Sequence, residues 1–552
     1  MASEHAASVT RARFTDGAHR LTLPELVAGW AAIDPTGVYL ESARDERAVS
    51  WAELARSAAA WSHRLDRAGV PAGGRVSLSV ADPLRFATAF VSIIAADRVV
   101  APLDAGAGPA ALARHRATIG SAATVRVDAD AAPATVATAR LDDSWAVVRA
   151  SDAGLRPAER DRALPEGGGL LLASSGTTGP PKLVELTEAQ LVHTATEIAA
   201  CHGLDRRDRG FNPLPLWHVN AEVVGLLATL VAGAQLVLDD RFHRTGFWKL
   251  MTDREISWLN AVPAVLAILA QQRPEPAAPP SLRFARSASA PLPAATLHAF
   301  ERVTGVLVVE TYGMTEAGSQ ITANPVGPDR RPGSVGRPVG VSLQIVDDEA
   351  AQVPAGTLGR VRIRGAGVIT RYAGPAGNDR IDRDGWLDTG DLGRLDDDGY
   401  LLLAGRRDDI INRGGEKLVP TEIEDVLAED PGVAAVVVLG WPDPVLGAVP
   451  VAAIVPAVVP AGTASAAAPE AVPGSTSGSG SGAGPGDAAG QQLVKRLRRR
   501  AADRLDRPYR PAAYHLLERL PAGVNGKVSR RAVREAVVEL AGSGPVPPDD
   551  SL

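Results

Sequence analysis

The sequence predicts a multidomain α/β protein, and three observations support this prediction. The chain has 552 residues, more than one hydrophobic core usually accommodates, so two or more domains are expected. Between about Leu23 and Leu403, strand-like apolar runs alternate with Ala- and Leu-rich runs of helical period, which favours α/β units with largely parallel sheets. Beyond Gly405 this pattern gives way to that of a second, smaller α+β domain.

The large N-terminal domain is expected to cover residues 1–404. Within it, the stretch 341–403 changes to short strands separated by Gly and by the Asp-Gly pairs at 384–385 and 398–399. Asp-Gly is typical of hairpin turns, so this stretch predicts a small β-barrel-like subdomain. Strands of the α/β part are predicted at 75–80, 170–173, 234–238 and 306–310.

A linking segment at 405–409 and a small C-terminal domain at 410–545 complete the predicted organisation. Residues 457–490 within the small domain are Ala, Gly, Ser and Pro almost throughout. Such a composition cannot bury enough apolar surface to fold, so a disordered insertion without secondary structure is expected there.

Local signals predict the elements of the small domain. Thr421 followed by Glu424 fits a capping box, which would begin a helix that runs through Leu427. Strands are predicted at 434–439 and 451–455, and a basic helix at 495–507.

Composition and charge exclude several functional classes. The formal net charge of −6 provides no global field that attracts nucleic acid or an anionic membrane. The single cysteine, Cys201, excludes an intrachain disulfide and favours a reducing compartment. The chain begins without an apolar signal-like segment, and its most apolar run, 445–459, is broken by prolines and too short to span a bilayer. We therefore expect a soluble, cytoplasmic protein without a nucleic-acid partner.

The richest group of hydrogen-bond donors lies at 173–182, which reads Ala-Ser-Ser-Gly-Thr-Thr-Gly-Pro-Pro-Lys. Glycines let backbone N–H groups turn toward an anion, while hydroxyls and a lysine add donors and positive charge. The stretch is therefore suited to binding a polyphosphate, although two prolines before the lysine distinguish it from a P-loop. A flexible surface turn is the alternative interpretation. The candidate phosphate ligands are Ser174, Ser175, Gly176, Thr177, Thr178, Gly179 and Lys182.

A second candidate segment, 310–316, reads Glu-Thr-Tyr-Gly-Met-Thr-Glu and combines a strand end with a glycine turn. Tyr312 beside Gly313 can stack on a base, while Thr315 and Glu316 offer a hydroxyl and a carboxylate to the phosphates of the same nucleotide. Because Mg²⁺ prefers carboxylate oxygen, Glu316 is the candidate metal ligand. A β-turn with a half-buried tyrosine is the alternative interpretation.

Together with three further segments, these two resemble the motifs of the adenylate-forming superfamily, which includes acyl-CoA synthetases, luciferases and peptide-synthetase adenylation domains. The further segments are Trp-Leu-Asp-Thr-Gly-Asp at 386–391, Gly-Arg-Arg-Asp-Asp-Ile-Ile-Asn-Arg-Gly-Gly-Glu-Lys at 405–417 and Pro-Ala-Gly-Val-Asn-Gly-Lys at 521–527. All five follow the order of that family, although Leu183 replaces the glycine that normally follows the phosphate-loop lysine.

The resemblance implies a role for each matching residue in the later segments. Asp391 and Arg406 would bind the ribose, and Asp408 would be the hinge of a mobile C-terminal domain. Lys527 would be the catalytic lysine of adenylation, acting with Thr315 and Glu316. The residues facing the active site during thiol transfer would be Gly414 and Gly415.

The activity implied is that of an ATP-dependent acid–thiol ligase using ATP, Mg²⁺ and coenzyme A. Such an enzyme adenylates a carboxylic acid, releases pyrophosphate and passes the acyl group to CoA. Three alternatives stay open: loading of a carrier-protein phosphopantetheine arm, a non-catalytic binding protein on the same fold, and an oxygen-dependent luciferase. Neither the oligomeric state nor the acid follows from these motifs.

Further segments resemble the oxalate–CoA ligase branch of the superfamily. His218 resembles the family's histidine at the entrance of the acyl pocket, which makes it a candidate catalytic and acyl-pocket residue, and Ser289 matches a serine that contacts the acid in that branch. The branch carries a histidine where this chain has Ser319, and usually alanine where it has Gly313. Because loss of a cationic donor weakens recognition of a second carboxylate, these differences argue against oxalate, and another small or medium acid is an open alternative.

Overall fold

The computed structural model describes the chain over several ranges, separated by gaps. The ranges are 21–121, 123–126, 138–142, 145–149, 167–174, 182–271, 275, 277–374, 377–457, 485–521 and 528–541.

The chain forms two compact units. The first comprises Met1–Thr389 with Arg394–Leu402, and the second comprises Gly390–Gly393 with Leu403–Leu552. Each unit has its own hydrophobic core.

The strands are numbered in chain order. They are β1 (Val38–Ser42), β2 (Ala48–Ser50), β3 (Arg75–Ser79), β4 (Val99–Pro102), β5 (Ala123–Arg126), β6 (Thr138–Asp142), β7 (Trp145–Arg149), β8 (Gly169–Ser174), β9 (Lys182–Thr187), β10 (Arg209–Asn212), β11 (Gln235–Leu238), β12 (Trp258–Ala261), β13 (Phe284–Ser287), β14 (Leu307–Tyr312), β15 (Thr322–Ala323), β16 (Arg337–Pro338), β17 (Ser342–Val346), β18 (Gly359–Arg364), β19 (Leu387–Leu395), β20 (Leu401–Arg406), β21 (Ile411–Arg413), β22 (Glu416–Leu418), β23 (Val433–Asp443), β24 (Gly447–Pro456) and β25 (Ala513–Leu516).

The helices are numbered in the same way. They are α1 (Leu23–Ile33), α2 (Trp51–Arg67), α3 (Pro83–Ala95), α4 (Pro109–Ile119), α5 (Glu188–His202), α6 (Ala228–Ala232), α7 (Phe247–Asp253), α8 (Pro263–Leu269), α9 (Ala294–Thr304), α10 (Pro420–Ala428), α11 (Pro485–Arg504) and α12 (Arg530–Ala541). A π-helical segment, Asn220–Leu227, leads directly into α6.

Two large sheets form the framework of the first unit. One has the strand order β6-β7-β5-β3-β4-β8-β9, and the other the order β16-β15-β14-β13-β12-β10-β11-β1-β2. In the second sheet, the strands from β1 through β11, β10, β12 and β13 to β14 are parallel. Their carboxyl ends therefore share one edge, which is where ligands bind in open α/β sheets.

Burial explains why the central strands are nearly continuous apolar runs. Every residue of β12 and β13 is buried, as expected for parallel strands that have both faces covered. The exceptions to the apolar pattern are Asn260 on β12 and Arg286 and Ser287 on β13, of which Asn260 and Arg286 are fully buried. Buried polar groups require partners, so these two residues mark a site or a structural network.

Two smaller sheets complete the architecture. One is ordered β17-β18-β19-β20 and corresponds to the predicted β-rich subdomain. The other belongs to the second unit and is ordered β22-β21-β24-β23, with β25 parallel to β24. The predicted α/β class with a small α+β C-terminal part is thereby confirmed, as are the four strands predicted in the large domain.

Two predictions for the small domain are wrong. The helix near Thr421 begins at Pro420 with Val419 as its N-cap and without a side-chain cap, because the Thr421 hydroxyl donates to the Ala404 carbonyl instead. The Glu424 carboxylate does not take part in a capping box either, because it accepts a hydrogen bond from the Val438 N–H.

The basic helix also differs from its predicted bounds of 495–507. It runs over Pro485–Arg504, so the last residues of the segment expected to lack secondary structure are helical. Residues 458–484 of that segment lie outside the described residues. Within the described ranges, no helix is long and apolar enough to cross a membrane.

Candidate active site

The predicted metal ligand Glu316 lies in a short turn, Thr315–Ala317, that follows β14. Its carboxylate is buried and its Oε1 accepts a hydrogen bond of 2.9 Å from the Tyr372 hydroxyl. Tyr372 is itself buried, and the Nζ of Lys182 lies 5.7 Å from the centre of its ring. Tyr372 thus brings the last residue of the phosphate-loop motif and the candidate metal ligand together.

Tyr372 was not predicted as a site residue. Burial, and secondarily the charge of Glu316, raises the pKa of its phenol, so the hydroxyl stays protonated at neutral pH and donates a hydrogen bond to Glu316. A single tyrosine in an Arg-Tyr-Ala segment gives no sequence signal of this role, because its two neighbours are distant along the chain.

The donor set at Glu316 fits Mg²⁺. Within the described part of the chain, Tyr372 occupies one carboxylate oxygen, and no hydrogen bond reaches the other, Oε2. Mg²⁺ is usually held by one or two carboxylates together with substrate phosphates and water, and it does not require a complete protein cage.

Gly313 and Ser319, the two departures from the oxalate–CoA ligase branch, lie directly against each other. Ser319 is buried and has a φ of +90°. Its carbonyl oxygen would lie 1.4 Å from a Cβ atom placed on Gly313. Alanine therefore cannot replace Gly313 while Ser319 keeps this conformation, so the two departures form one structural feature.

A buried polar network lies at the carboxyl edge of the nine-stranded sheet. Asn260 and Arg286 are partners in the register of β12 and β13, and Asn260 donates to Asn212 at the end of β10. The Arg286 guanidinium donates to the oxygens of Asn260 (3.3 Å), Asn220 (2.8 Å) and Gln320 (3.2 Å). Burial lowers the pKa of Arg286 to about 10, so it remains charged at neutral pH.

The network reaches Ser289 directly and includes residues that lie close along the chain to the other two predicted for the acyl pocket. Asn220, two residues beyond His218, donates through Nδ2 to the Ser289 Oγ at 3.3 Å. Gln320, which follows Ser319, accepts from Arg286. His218 is half-buried beside Trp217, with ring centres 6.1 Å apart. The structure thus links Ser289 and Ser319 through residues that sequence reasoning missed, although buried Asn and Arg within apolar strands were a usable signal.

The predicted ribose ligands lie in the second unit and contact each other. Oδ1 of Asp391, which is buried, lies 3.3 Å from Nη1 of the exposed Arg406. The predicted hinge residue Asp408 is exposed, and the adjacent Asp409 pairs with Arg530 Nε at 3.1 Å. Arg530 is the first residue of α12, so this ion pair joins the start of α12 to the predicted hinge segment.

Gly414 and Gly415 form the tip of the β21–β22 hairpin. Arg413 pairs with Glu416, so the two glycines are the two-residue loop between them. Both have positive φ, +60° and +93°, which a type I′ turn requires and which glycine adopts without strain. The predicted thiol-transfer residues therefore lie on an exposed turn.

Several predicted ligands belong to two segments that the structure describes only at their ends. Ser175, Gly176, Thr177, Thr178, Gly179 and Lys527 lie outside the described residues, and Ser174 is described only as the last residue of β8. The ends of the Lys527 segment are described: the Ser529 N–H donates to the Pro521 carbonyl at 3.1 Å.

Comparison with known families identifies the class of this protein. Residues 30–373 match the model of the AMP-binding enzyme family, a span that includes Lys182, Glu316 and Tyr372. The chain belongs to this family, and the predicted membership of the adenylate-forming superfamily is confirmed.

Its curated relatives are acid–CoA ligases. The chain is 36% identical over 450 residues to a sulfoacetate–CoA ligase of Cupriavidus necator, covering 79% of this chain and 88% of the relative. It is 35% identical over 417 residues to an oxalate–CoA ligase of Arabidopsis thaliana, covering 72% and 81%. The predicted ligase is thus confirmed at the level of the acid–CoA ligase enzyme family.

A solved structure supports the fold. The o-succinylbenzoate–CoA synthetase from Bacillus subtilis, solved with ATP and a magnesium ion, matches with a TM-score of 0.70. The match covers 92% of this chain and 99% of the synthetase at 23% identity, so it supports the shared fold.

Proposed function

We propose that this protein is an AMP-forming acid–CoA ligase that activates a small carboxylic acid in the cytoplasm. The proposal rests on its family membership and on the cluster that joins Lys182, Tyr372 and Glu316 in the first unit. In this cluster the ammonium group that ends the phosphate-loop motif and the candidate metal-binding carboxylate interact with the same tyrosine, an arrangement suited to binding ATP with Mg²⁺.

The chemistry requires activation because a carboxylate has no good leaving group. Its oxygen attacks the α-phosphorus of ATP, the bond to pyrophosphate breaks, and an acyl adenylate forms. The CoA thiolate then attacks the acyl carbon, and AMP leaves. Catalysis of such steps depends mainly on positioning and on stabilising charge.

The candidate nucleotide-binding, hinge and thiol-transfer residues have the following roles in this proposal. Lys527 bridges the acid carboxylate and the α-phosphate, and the loop that ends at Lys182 holds the β- and γ-phosphates. Tyr312 stacks on adenine, and Thr315 contacts the α-phosphate. Mg²⁺ held by Glu316 would offset phosphate charge. The ribose, hinge and thiol-transfer roles are proposed for Asp391, Arg406, Asp408, Gly414 and Gly415.

The test measures AMP and pyrophosphate release over a panel of acids, with and without CoA. The panel contains oxalate, malonate, sulfoacetate, short and medium fatty acids, aryl acids and amino acids. CoA-dependent turnover with a thioester product is expected. Adenylation without transfer to CoA would instead support a carrier-protein acceptor.

Lys527→Ala tests the proposed division between half-reactions. We expect adenylation to fall about 10²–10³-fold, because one electrostatic contact to the transition state is lost. Conversion of supplied acyl adenylate and CoA to thioester should persist. Equal loss of both half-reactions would contradict separate catalytic arrangements for the two steps.

A further inference from the structure

Lys182 lies at the base of the phosphate-loop motif, next to a later stretch of the chain. It is the first residue of β9 and pairs in register with Ser174, the last residue of β8. The carbonyl of the next residue, Leu183, accepts a hydrogen bond of 2.8 Å from the Ala373 N–H. Since the Lys182 Nζ lies 5.7 Å from the centre of the Tyr372 ring, backbone and side-chain contacts both join β9 to this stretch.

Gly377 contacts both the lysine stem and the tyrosine ring. A Cβ atom placed on Gly377 would lie 2.9 Å from Cδ of Lys182 and 3.0 and 3.1 Å from Cε2 and Cδ2 of Tyr372, which is tighter than ordinary van der Waals contact. The Tyr372 ring is buried and its hydroxyl is hydrogen-bonded to Glu316, whereas a lysine stem is flexible. A side chain at position 377 would therefore displace Lys182 rather than Tyr372.

Asn378 holds the backbone around Gly377 in place. Its Oδ1 accepts a hydrogen bond of 2.9 Å from the Tyr372 N–H, and its Nδ2 donates to the Gly374 carbonyl at 2.7 Å. One side chain thus joins the backbone at Gly377 to the tyrosine whose ring contacts Lys182. The position of the lysine stem depends on this arrangement as well as on β9.

We infer that Gly377 is a positioning residue that, together with Asn378, keeps the Lys182 stem against Tyr372 and so directs its ammonium group to the β- and γ-phosphates of ATP. This inference rests on the nucleotide-binding part of the proposed function, because it requires Lys182 to bind those phosphates. AMP lacks both phosphates, so displacement of Lys182 should weaken the binding of ATP and leave the binding of AMP unchanged. Distortion of the whole nucleotide site would weaken the binding of both.

Gly377→Ala tests this difference through the Kd for ATP with Mg²⁺ and the Kd for AMP, both measured by titration calorimetry on the full chain. The Kd for ATP should rise about tenfold, because a hydrogen bond to a charged group is lost, and the Kd for AMP should stay native. Gly356→Ala is the matched control. Gly356 has a φ of +80° and Gly377 a φ of +88°, so both variants strain the backbone alike, but no atom lies within 4 Å of the Gly356 Cβ position. The control should bind both nucleotides as the native protein does.

A double variant shows whether Gly377 acts through Lys182. Lys182→Ala alone should raise the Kd for ATP about tenfold or more. Adding Gly377→Ala should cause no further rise, because the side chain that it displaces is already absent. A further tenfold rise in the double variant would show that Gly377 acts through another group and would overturn the inference.

Asn378→Ala tests the same arrangement without adding a side chain at Gly377. Asn378 is exposed, so the fold should be retained, but the hydrogen bonds to Tyr372 and Gly374 are lost. The Kd for ATP should rise about threefold, as expected for the loss of a neutral hydrogen bond, and the Kd for AMP should not change.

The outcomes distinguish the positioning role from the proposed function. An unchanged Kd for ATP in Gly377→Ala and Asn378→Ala, an equal loss of ATP and AMP binding, or the same loss in Gly356→Ala would overturn the positioning role and leave the ligase intact. A native protein that binds ATP no more tightly than AMP would overturn it as well. The expected loss of ATP binding without AMP release from any acid would overturn the proposed ligase and leave the positioning role intact. Thermal unfolding identifies a variant that does not fold, and Asn378→Ala then decides in place of Gly377→Ala.

Discussion

The nucleotide side and the acid side of the candidate active site are built over different distances along the chain. On the nucleotide side, the candidate residues 312–316 are consecutive, from the last residue of β14 to the short helical turn that follows the strand. On the acid side, the polar residues come from β12, β13, the π-helical segment and the stretch after Glu316: Asn260, Arg286, Asn220 and Gln320.

This difference determines how much of each side can be predicted from the sequence. A turn places its side chains through local backbone geometry, so the motif alone indicates which groups act together. The acid side depends on the register between parallel strands, in which Asn260 lies beside Arg286. We therefore expect nucleotide-side variants to reduce AMP release by the same factor with every acid. Acid-side variants should instead change which acid is preferred.

The largest effect is expected for Glu316→Gln. This change removes the charge that would hold Mg²⁺, so AMP release should fall about 10²–10³-fold. The comparison between the two sides predicts that AMP release falls by the same factor for acids with a second anionic group and for acids without one. A changed preference among acids would contradict the separation of the two sides. Exposed Glu46 provides the control, and Glu46→Gln should retain native turnover.

Gly313→Ala tests the contact between Gly313 on the nucleotide side and Ser319, which precedes the acid-side residue Gln320. The new methyl group would collide with the Ser319 carbonyl, 1.4 Å from the ideal Cβ position, so the turn must shift. We expect the free energy of unfolding to fall by about 1–3 kcal/mol, as for other overpacked sites, with a lower Tm. Gly29→Ala is the control, since no atom lies within 4 Å of its Cβ position in α1. Equal Tm values for the two variants would contradict the coupling of Gly313 with Ser319.

A smaller effect is expected for Tyr372→Phe. Loss of the hydroxyl that donates to Glu316 should reduce AMP release about tenfold, because a hydrogen bond to a charged group is removed. The Mg²⁺ concentration needed for half-maximal turnover should change as well. Tyr400→Phe loses a partly buried hydrogen bond to the Asp329 carbonyl, which does not involve Glu316, so it should leave the Mg²⁺ dependence unchanged. The same Mg²⁺ response in both variants would exclude a specific role for Tyr372.

The smallest effect concerns Glu310, which lies on β14 just before the nucleotide turn. Burial raises the pKa of its carboxyl from 4.5 to about 7, although the Gly333 N–H donates to it. The folded state therefore holds the proton more tightly than the unfolded state. The stability that the folded state gains from protonated Glu310 is fully present below about pH 4.5 and is lost as the pH rises through about 7.

Glu310→Gln should flatten this part of the stability profile, measured as Tm between pH 4.5 and 8. Its amide cannot ionise but can still accept from Gly333. Exposed Glu349 supplies the control, and Glu349→Gln should keep the native pH profile. A native profile in Glu310→Gln as well would show that another group titrates in this range.

Sequence patterns predicted most of the architecture and only part of the candidate site. The strands β3, β8, β11 and β14 follow from runs of apolar residues, because burial on both faces leaves a local signature. The capping box at Thr421 was wrong because its hydroxyl has a tertiary partner, the Ala404 carbonyl. A local motif cannot indicate that such a partner competes for the same group.

The sequence by itself determined the family, the order of the motifs and the candidate nucleotide ligands, because these depend on residues close together along the chain. Only the tertiary structure decided that Tyr372 joins Lys182 to Glu316 and that Gly313 and Ser319 are one feature. It also decided that Asn220 is hydrogen-bonded to both Arg286 and Ser289. The physical reason is that hydrogen bonds and steric contacts depend on distance in space, and these partners are brought together only by the register of the sheet and the packing of its connections.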